Sequence, residues 1–295
     1  MVILNHNLRL FIEVAEMGSI TQTATKLYVS QPAISKAIKN LEEELNVKLF
    51  HRNKRTGLIL TDIGHEILII ARQMQELENL LYQTTYKENN FMGGKLKIAS
   101  MPILTSVFLS PVLYEFKKRY PKVSIELIEG SSIEIRKAVE EHQVDFAIAS
   151  EPFDDLDFQV IFTDKMLAIS KQPFQLDIID IHSHTDNFIL CRAGQETILE
   201  KHHLDRIPLE KSFIVEQAET VISLVENNNG IGILSQLVLD NTPNQLYRLP
   251  IIPKIEIKDA IIANSLDDLT PVAMEMKRMI IEYIHKKDEQ NKFCL

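Results

Sequence analysis

Cysteine is nearly missing from this chain of 295 residues: Cys191 and Cys294 are the only two, and they form no C-x-x-C pair. Two cysteines exclude a disulfide framework. Apolar runs of about 18–20 residues, the length that crosses a bilayer, are absent too, so no membrane partner is expected. The first residues, Met1-Val2-Ile3-Leu4-Asn5-His6, show no basic stretch followed by an apolar one, and no signal peptide is expected. No G-x-S-x-G, H-E-x-x-H or P-loop sequence occurs, and no acid, base and nucleophile set stands at a recognisable spacing. These absences set the expectation of a cytoplasmic protein with no cofactor and no catalytic site.

What is present is ordinary globular material, 45% hydrophobic and 25% charged, enough for two or three domains. The net charge of −9 argues against a nucleic-acid partner until its distribution is read. Residues 1–60 hold eight Lys/Arg against five Asp/Glu, a net of +3, and the rest of the chain holds 24 against 36. A small basic module is attached to a large acidic body, and only the basic part suits phosphate.

Residues 5–60 read as helices joined by short turns. Leu8, Phe11, Ile12 and Ala15 fall at i, i+3, i+4 and i+7 of one helix, which Gly18 stops. Ser19 caps a second helix, and Ser30 caps a third, with Pro32 in its first turn and Ile34, Ile38, Leu41 and Leu45 as its apolar stripe. The basic stretch His51 to Gly57 between two apolar runs reads as a β-hairpin wing. Thr61 then caps a long helix to about residue 87, in which Ile63, Ile67, Ile70, Met74, Leu77 and Leu81 are spaced 4, 3, 4, 3, 4. That heptad seam predicts pairing with a second copy.

From Lys95 the texture changes. Strands are expected at 96–99, 123–128 and 144–149, then at 188–191, 212–215 and 231–234, with helices near 105–119, 132–142, 195–203, 218–227 and 271–287. Strands alternating with helices predict an α/β body with parallel sheets. Gly230-Ile231-Gly232 lacks the third glycine of a dinucleotide loop and reads as a turn into a buried strand. His182, His184, His202 and His203 have no cysteine or carboxylate cluster at metal-site spacing, so no metal is expected. Cys191 has no nearby resolving cysteine and reads as a small buried residue.

The third helix carries the most specific chemistry. Gln31 and Ser35 share one face, with Pro32, Lys36 and Lys39 beside them, opposite the apolar stripe. Glutamine pairs bidentately with adenine, and lysine reaches guanine edges or phosphate. The same face also fits a merely solvated helix. Glu42, Glu43 and Glu44 would be repelled by DNA, so only the first two turns are expected in a groove. Arg52 and Arg55 on the wing complete the expected DNA contacts.

Residues 19–38, Ser-Ile-Thr-Gln-Thr-Ala-Thr-Lys-Leu-Tyr-Val-Ser-Gln-Pro-Ala-Ile-Ser-Lys-Ala-Ile, resemble the helix-turn-helix of LysR-type transcriptional regulators. Leu41-Glu42, Leu49-Phe50, Arg52 and Leu60-Thr61-Asp62-Ile63-Gly64 continue the resemblance in register. Lys36 stands where the family most often has Arg, and Thr23 where it often has Ala. The resemblance implies a winged helix-turn-helix at 5–62, a linker and dimerisation helix at 62–89, and an effector domain at 93–295. That domain would comprise two α/β subdomains, about 93–164 with 266–295 and about 165–265, joined by crossing strands as in periplasmic solute-binding proteins. The implied partners are double-stranded DNA, a small-molecule effector in the cleft, and further copies of the chain as a homodimer or homotetramer.

Ligands of open α/β sheets bind outside the carboxyl ends of strands. Ser100, Ser131, Ser150 and Cys191-Arg192 stand at those ends. Each serine can equally cap the helix that follows. Arg192 fits a surface ion pair, or, turned inward, a carboxylate of an organic-anion effector. The competing reading is an enzyme or solute-binding domain fused to a DNA anchor.

Overall fold

The computed structural model describes residues 4–53, 57–88, 93–182, 187–192 and 212–292. Its first module packs α1 (His6–Met17), α2 (Ile20–Leu27) and α3 (Gln31–Leu45) around Phe11, Val14, Ile34 and Leu49, all fully buried. The caps act as the sequence indicates. Ser19 Oγ accepts from the Gln22 N–H and Ser30 Oγ from the Ala33 N–H, while Gly18 ends α1 at φ 61°. Leu45 departs from the expected stripe: it is exposed, because α3 outruns the core it packs on.

Strands β1 (Phe50–Asn53) and β2 (Gly57–Leu60) pair antiparallel as the wing, Phe50 opposite Leu60. Two polar residues fix how the wing leaves α3. Glu42 accepts from the Leu49 N–H at 2.9 Å and pairs with Lys48 at 2.7 Å, so it serves the fold as an anchor. Thr61 donates to the Lys48 carbonyl and accepts from the Gly64 N–H at 2.9 Å, capping α4 (Asp62–Glu88). Gly64 is required there, since a Cβ would lie 2.3 Å from the Leu49 carbonyl oxygen.

α4 has 27 residues, about 40 Å of helix, and its flanks are tied to both ends of the molecule. Glu78 accepts from Leu4 and pairs with Arg9 of the winged module. Buried Gln83 donates to the Lys95 carbonyl at 3.2 Å and accepts from the Val272 N–H at 2.9 Å.

The C-terminal body contains β3 (Gly94–Ser100), β4 (Val123–Glu129), β5 (Phe146–Ser150), β6 (Asp157–Ser170), β7 (Ile179–Asp180), β8 (Phe188–Cys191), β9 (Phe213–Val215), β10 (Ile231–Ser235), β11 (Tyr247–Ile252) and β12 (Glu256–Ala263). The order is β4-β3-β5-β12-β6-β10-β8-β9, with β11 also on β6 and β7 on β11. The outer strands run parallel, as alternation predicts, but β12 is antiparallel to β5 and β6, and β10 and β11 are antiparallel to β6. The expectation of purely parallel sheets is therefore corrected to a mixed sheet.

The reason is β6. Eight of its first nine residues pair with β12, with a bulge at Ile161, and residues 166–170 pair with β10 and β11. This strand crosses from one half of the body to the other, and the chain returns between β11 and β12. A segment from Pro102 leads through a π-helical turn, Thr105–Leu109, into α5 (Ser110–Arg119). With α6 (Ser132–Glu140) and α9 (Pro271–Lys292) it covers the first half. The second half carries α7 (Ala218–Glu226) and α8 (Gln236–Asn241). The expected helix near 195–203 lies outside the described residues. Gly230, at φ 145°, does turn the chain into buried β10, and a Cβ there would meet the Asn187 carbonyl oxygen at 2.2 Å.

Candidate functional site

Gln31, Pro32, Lys36 and Lys39 are all exposed on α3, and Ser35 is half-buried beside them, while Ile34, Ala37 and Ile38 are buried on the other side. Lys39 lies 3.4 Å from Glu43, an exposed i,i+4 pair that leaves it free to exchange partners. Arg52 sits on β1 opposite Leu58, but its side chain and the whole of Arg55 lie outside the described residues. Tyr28, in the turn between α2 and α3, adopts φ 55° and is 96% exposed just before the third helix. Its signal in the sequence was an aromatic at a turn with no core to join.

The seam of α4 is open. Ile63, Ile70, Met74, Leu77 and Leu81 are exposed, Leu77 by 65%. Ile67 differs: it packs against the winged module's core, which Leu68 and Ala71 of α4 itself help to form.

Between the halves of the body lies a cavity of about 800 Å³. Its walls come from the starts of the helical stretch at Pro102, α6, α7 and α8, and its floor comes from β6 and β12. Met101, Val107, Met166, Leu234 and Ile257 make much of it apolar, the usual make-up of a small-molecule site.

The strand-end residues divide. Ser131 and Ser150 line the cavity, as do Cys191 and Arg192, so two serines and the Cys-Arg pair are brought together. Ser100 is not: it is fully buried, and its hydroxyl donates to the Met101 carbonyl at 3.2 Å. Ser131 is also a cap, accepting from the Glu134 N–H while Glu134 accepts from its backbone N–H and hydroxyl. Arg192 is exposed and donates to Glu216 at 2.7 Å. Cys191 is half-buried.

Two carboxylates on the crossing strands went unread in the sequence. Asp259 is 2% exposed and accepts from the Ser150 hydroxyl at 2.5 Å. Burial pushes it up to about 7, the Ser150 bond works against that, and the charges of Asp164 and Glu151 add to it. Asp164 accepts from the N–H groups of Lys165 and Leu237, at 2.8 and 3.1 Å, and burial raises it as well. An acid directly before the apolar run 260–263, on a strand buried from that point on, was the available sign.

Residues 5–65 match the family described as bacterial regulatory helix-turn-helix protein, lysR family, and residues 90–283 match the LysR substrate binding domain. The chain is 39% identical over 285 residues to the uncharacterized HTH-type transcriptional regulator YoaU of Bacillus subtilis, covering 95% of this chain and 98% of that protein. It is 30% identical over 300 residues to the transcriptional dual regulator GltC of the same organism, covering 96% and 98%. In fold it is similar to a full-length OxyR variant from Pseudomonas aeruginosa, with a TM-score of 0.68 at 21% identity over 94% of this chain and 96% of that one. CbnR complexed with its target DNA gives 0.58 at 19%, over 93% and 97%. The chain belongs to the LysR family: it is a DNA-binding transcriptional regulator with an N-terminal helix-turn-helix and a C-terminal effector-binding domain.

Proposed function

We propose that this regulator works in the cytoplasm, without catalysis, as a homodimer or homotetramer that binds a specific duplex sequence and alters that binding when an effector fills the cavity. The winged module at 5–62 meets DNA, with Gln31 and Ser35 reading bases and Pro32 shaping the entry of α3. Lys36, Lys39, Arg52 and Arg55 meet phosphate. The helix at 62–89 pairs two copies through Ile63, Ile70, Met74, Leu77 and Leu81, and Ile67 links that seam to the winged core.

The effector domain at 93–295 responds through Ser131, Ser150 and Arg192, with Ser100 acting from beneath the wall. Its subdomains, about 93–164 with 266–295 and 165–265, move as two bodies about the crossing strands.

One observation carries this reading: the cavity is walled by both halves and floored by the strands that join them. A ligand there contacts both bodies, so its affinity differs between their arrangements, which is what regulation requires. The test is mapping of protected DNA with and without candidate metabolites. Equal affinity for specific and scrambled duplexes, or protection insensitive to every metabolite while one of them binds the cavity, would overturn it.

A further inference from the structure

We propose that the cavity takes an organic ammonium ion, its cationic group held by Asp259 and Asp164 and its hydrocarbon body lying against Met101, Val107 and Met166. The proposal rests on the reading of the cavity as the effector site and adds the charge class of the ligand.

The register places the two carboxylates together. Asp164 on β6 pairs with Ile257 on β12, and Asp259 stands two residues beyond Ile257, opposite Phe162. Residues two apart on a strand share a face, so the two acids are diagonal neighbours on the face that floors the cavity. Met166 and Ile257, which share that face, line the cavity beside them.

Among the described residues neither acid has a charge partner. The charges that bear on them are other carboxylates, Asp240 on Asp164, and Asp164 and Glu151 on Asp259. Asp164 is satisfied by backbone N–H groups. Asp259 is engaged at Oδ1 by Ser150, and its Oδ2 accepts no hydrogen bond among the described residues. A buried carboxylate with a free acceptor and no counter-charge is unfavourable to ionise. A bound ammonium supplies both the donors and the charge.

The remaining wall has the same sign. Glu134, Glu216 and Glu219 also line the cavity, and Arg192 is its one cation among the described lining residues. Arg192 is already engaged by Glu216 at 2.7 Å. An anionic effector, the class that Arg192 alone indicates in the sequence, would meet five carboxylates and a neutralised guanidinium. A bare metal ion fits poorly as well. The space is of organic-ligand size at about 800 Å³, and no group of three or more metal-ligating side chains occurs among the described residues.

The test is calorimetry on the full chain at low salt with n-pentylamine and 1,5-diaminopentane, against pentanoate and glutarate as charge-reversed analogues. Asp259→Asn and Asp164→Asn remove one charge each without loss of volume, and Ser106→Trp, at an exposed residue of the rim, obstructs the cavity. The amines are expected to bind, with affinity falling about tenfold or more in each Asn variant and in Ser106→Trp. Thermal melting of the variants confirms that they fold. Preferential binding of the carboxylates, lost in Ser106→Trp, overturns the ammonium assignment and leaves the cavity as the site. Binding of either class undiminished by Ser106→Trp overturns both. No amine binding to the wild type at millimolar concentration overturns the ammonium assignment.

Discussion

Arg72 of the linker helix donates through one nitrogen, Nη1, to both the carbonyl and the carboxylate oxygen of Glu141, at 3.2 and 3.4 Å. Arg72 is 5% exposed, and Glu141 is the residue that ends α6. Next to it, His142 Nδ1 lies 2.7 Å from Glu76 and its Nε2 lies 2.9 Å from Gln73, both on the linker helix. The other end of α6 carries Ser131 and Glu134 in the cavity wall. Nine residues of helix, about 13 Å, therefore run from the cavity to the segment that bears the DNA-binding module.

Arg72→Met is expected to cut that link. DNA binding without ligand should stay close to wild type, and the change produced by a cavity ligand should shrink by about 1–3 kcal/mol of coupling. Fluorescence anisotropy with operator DNA, with and without saturating ligand, measures it. An unchanged ligand response in the variant would show that α6 does not carry the signal.

Gln31→Ala and Ser35→Ala should reduce discrimination between operator and scrambled duplex by about 1–3 kcal/mol each if a base contact is lost. Lys36→Ala and Lys39→Ala should weaken all duplexes alike and flatten the salt dependence. For two winged modules neutralising about six to eight phosphates, the log–log slope of the wild type is expected near −5 to −7. Titrations at several salt concentrations separate the two behaviours. A Gln31→Ala variant that loses equally on both duplexes contradicts base reading.

Ile70 is 54% exposed in the middle of the open seam. Covering that remaining half in a pair contributes about 1–1.5 kcal/mol per side chain before entropy is counted. Ile70→Glu should shift sedimentation to a smaller species and abolish binding to paired half-sites. A wild type that sediments as a monomer at micromolar concentration contradicts the pairing role of α4.

The local features were legible because each has a local cause. Ser19, Ser30 and Thr61 cap helices wherever their hydroxyls meet free N–H groups, and the 3.6-residue period of α1 and α3 needs only one buried face. The seam of α4 was readable for the same reason, except at Ile67, whose burial depends on a neighbour distant in sequence. The crossing strand β6 was not legible. Asp157, Phe158, Gln159 and Val160 alternate but are all exposed, Ile161 and Phe162 break the alternation, and Thr163, Asp164 and Lys165 separate this start from the apolar run 166–169, so no single pattern marks the whole strand. The cavity's acids escaped for a related reason. Asp164 and Asp259 are 95 residues apart in the chain, and only the β6–β12 register brings them to one face. The serines stood at strand ends as expected, but whether a strand-end hydroxyl faces a cavity, as Ser150 does, or the backbone, as Ser100 does, depends on the packing of the adjoining loops.

Asp145 offers a test of the joint between the linker helix and the effector domain. It is half-buried, accepts from the Lys97 N–H at 2.7 Å, and is pushed up to about 7 chiefly by desolvation. The Lys97 N–H opposes that shift, the charge of Glu76 on the linker helix adds to it, and the charges of Lys97 and Lys95 oppose it. Its folded value thus lies above the ordinary 3.8 of an unfolded chain. The folded state then holds this proton more tightly, so the associated stability is fully present below about pH 4 and is lost as the pH rises through about 7. At roughly 1.4 kcal/mol for each unit between the two values, the loss is at most about 4 kcal/mol. Asp145→Asn keeps an acceptor for the Lys97 N–H and cannot ionise. The difference in unfolding free energy between variant and wild type should therefore move in the variant's favour between about pH 4 and pH 8. Urea denaturation across that range, at one fixed protein concentration because pairing also stabilises the fold, measures the difference directly. A difference that does not change with pH would show that Asp145 is ionised throughout and that the Lys97 contacts outweigh its burial.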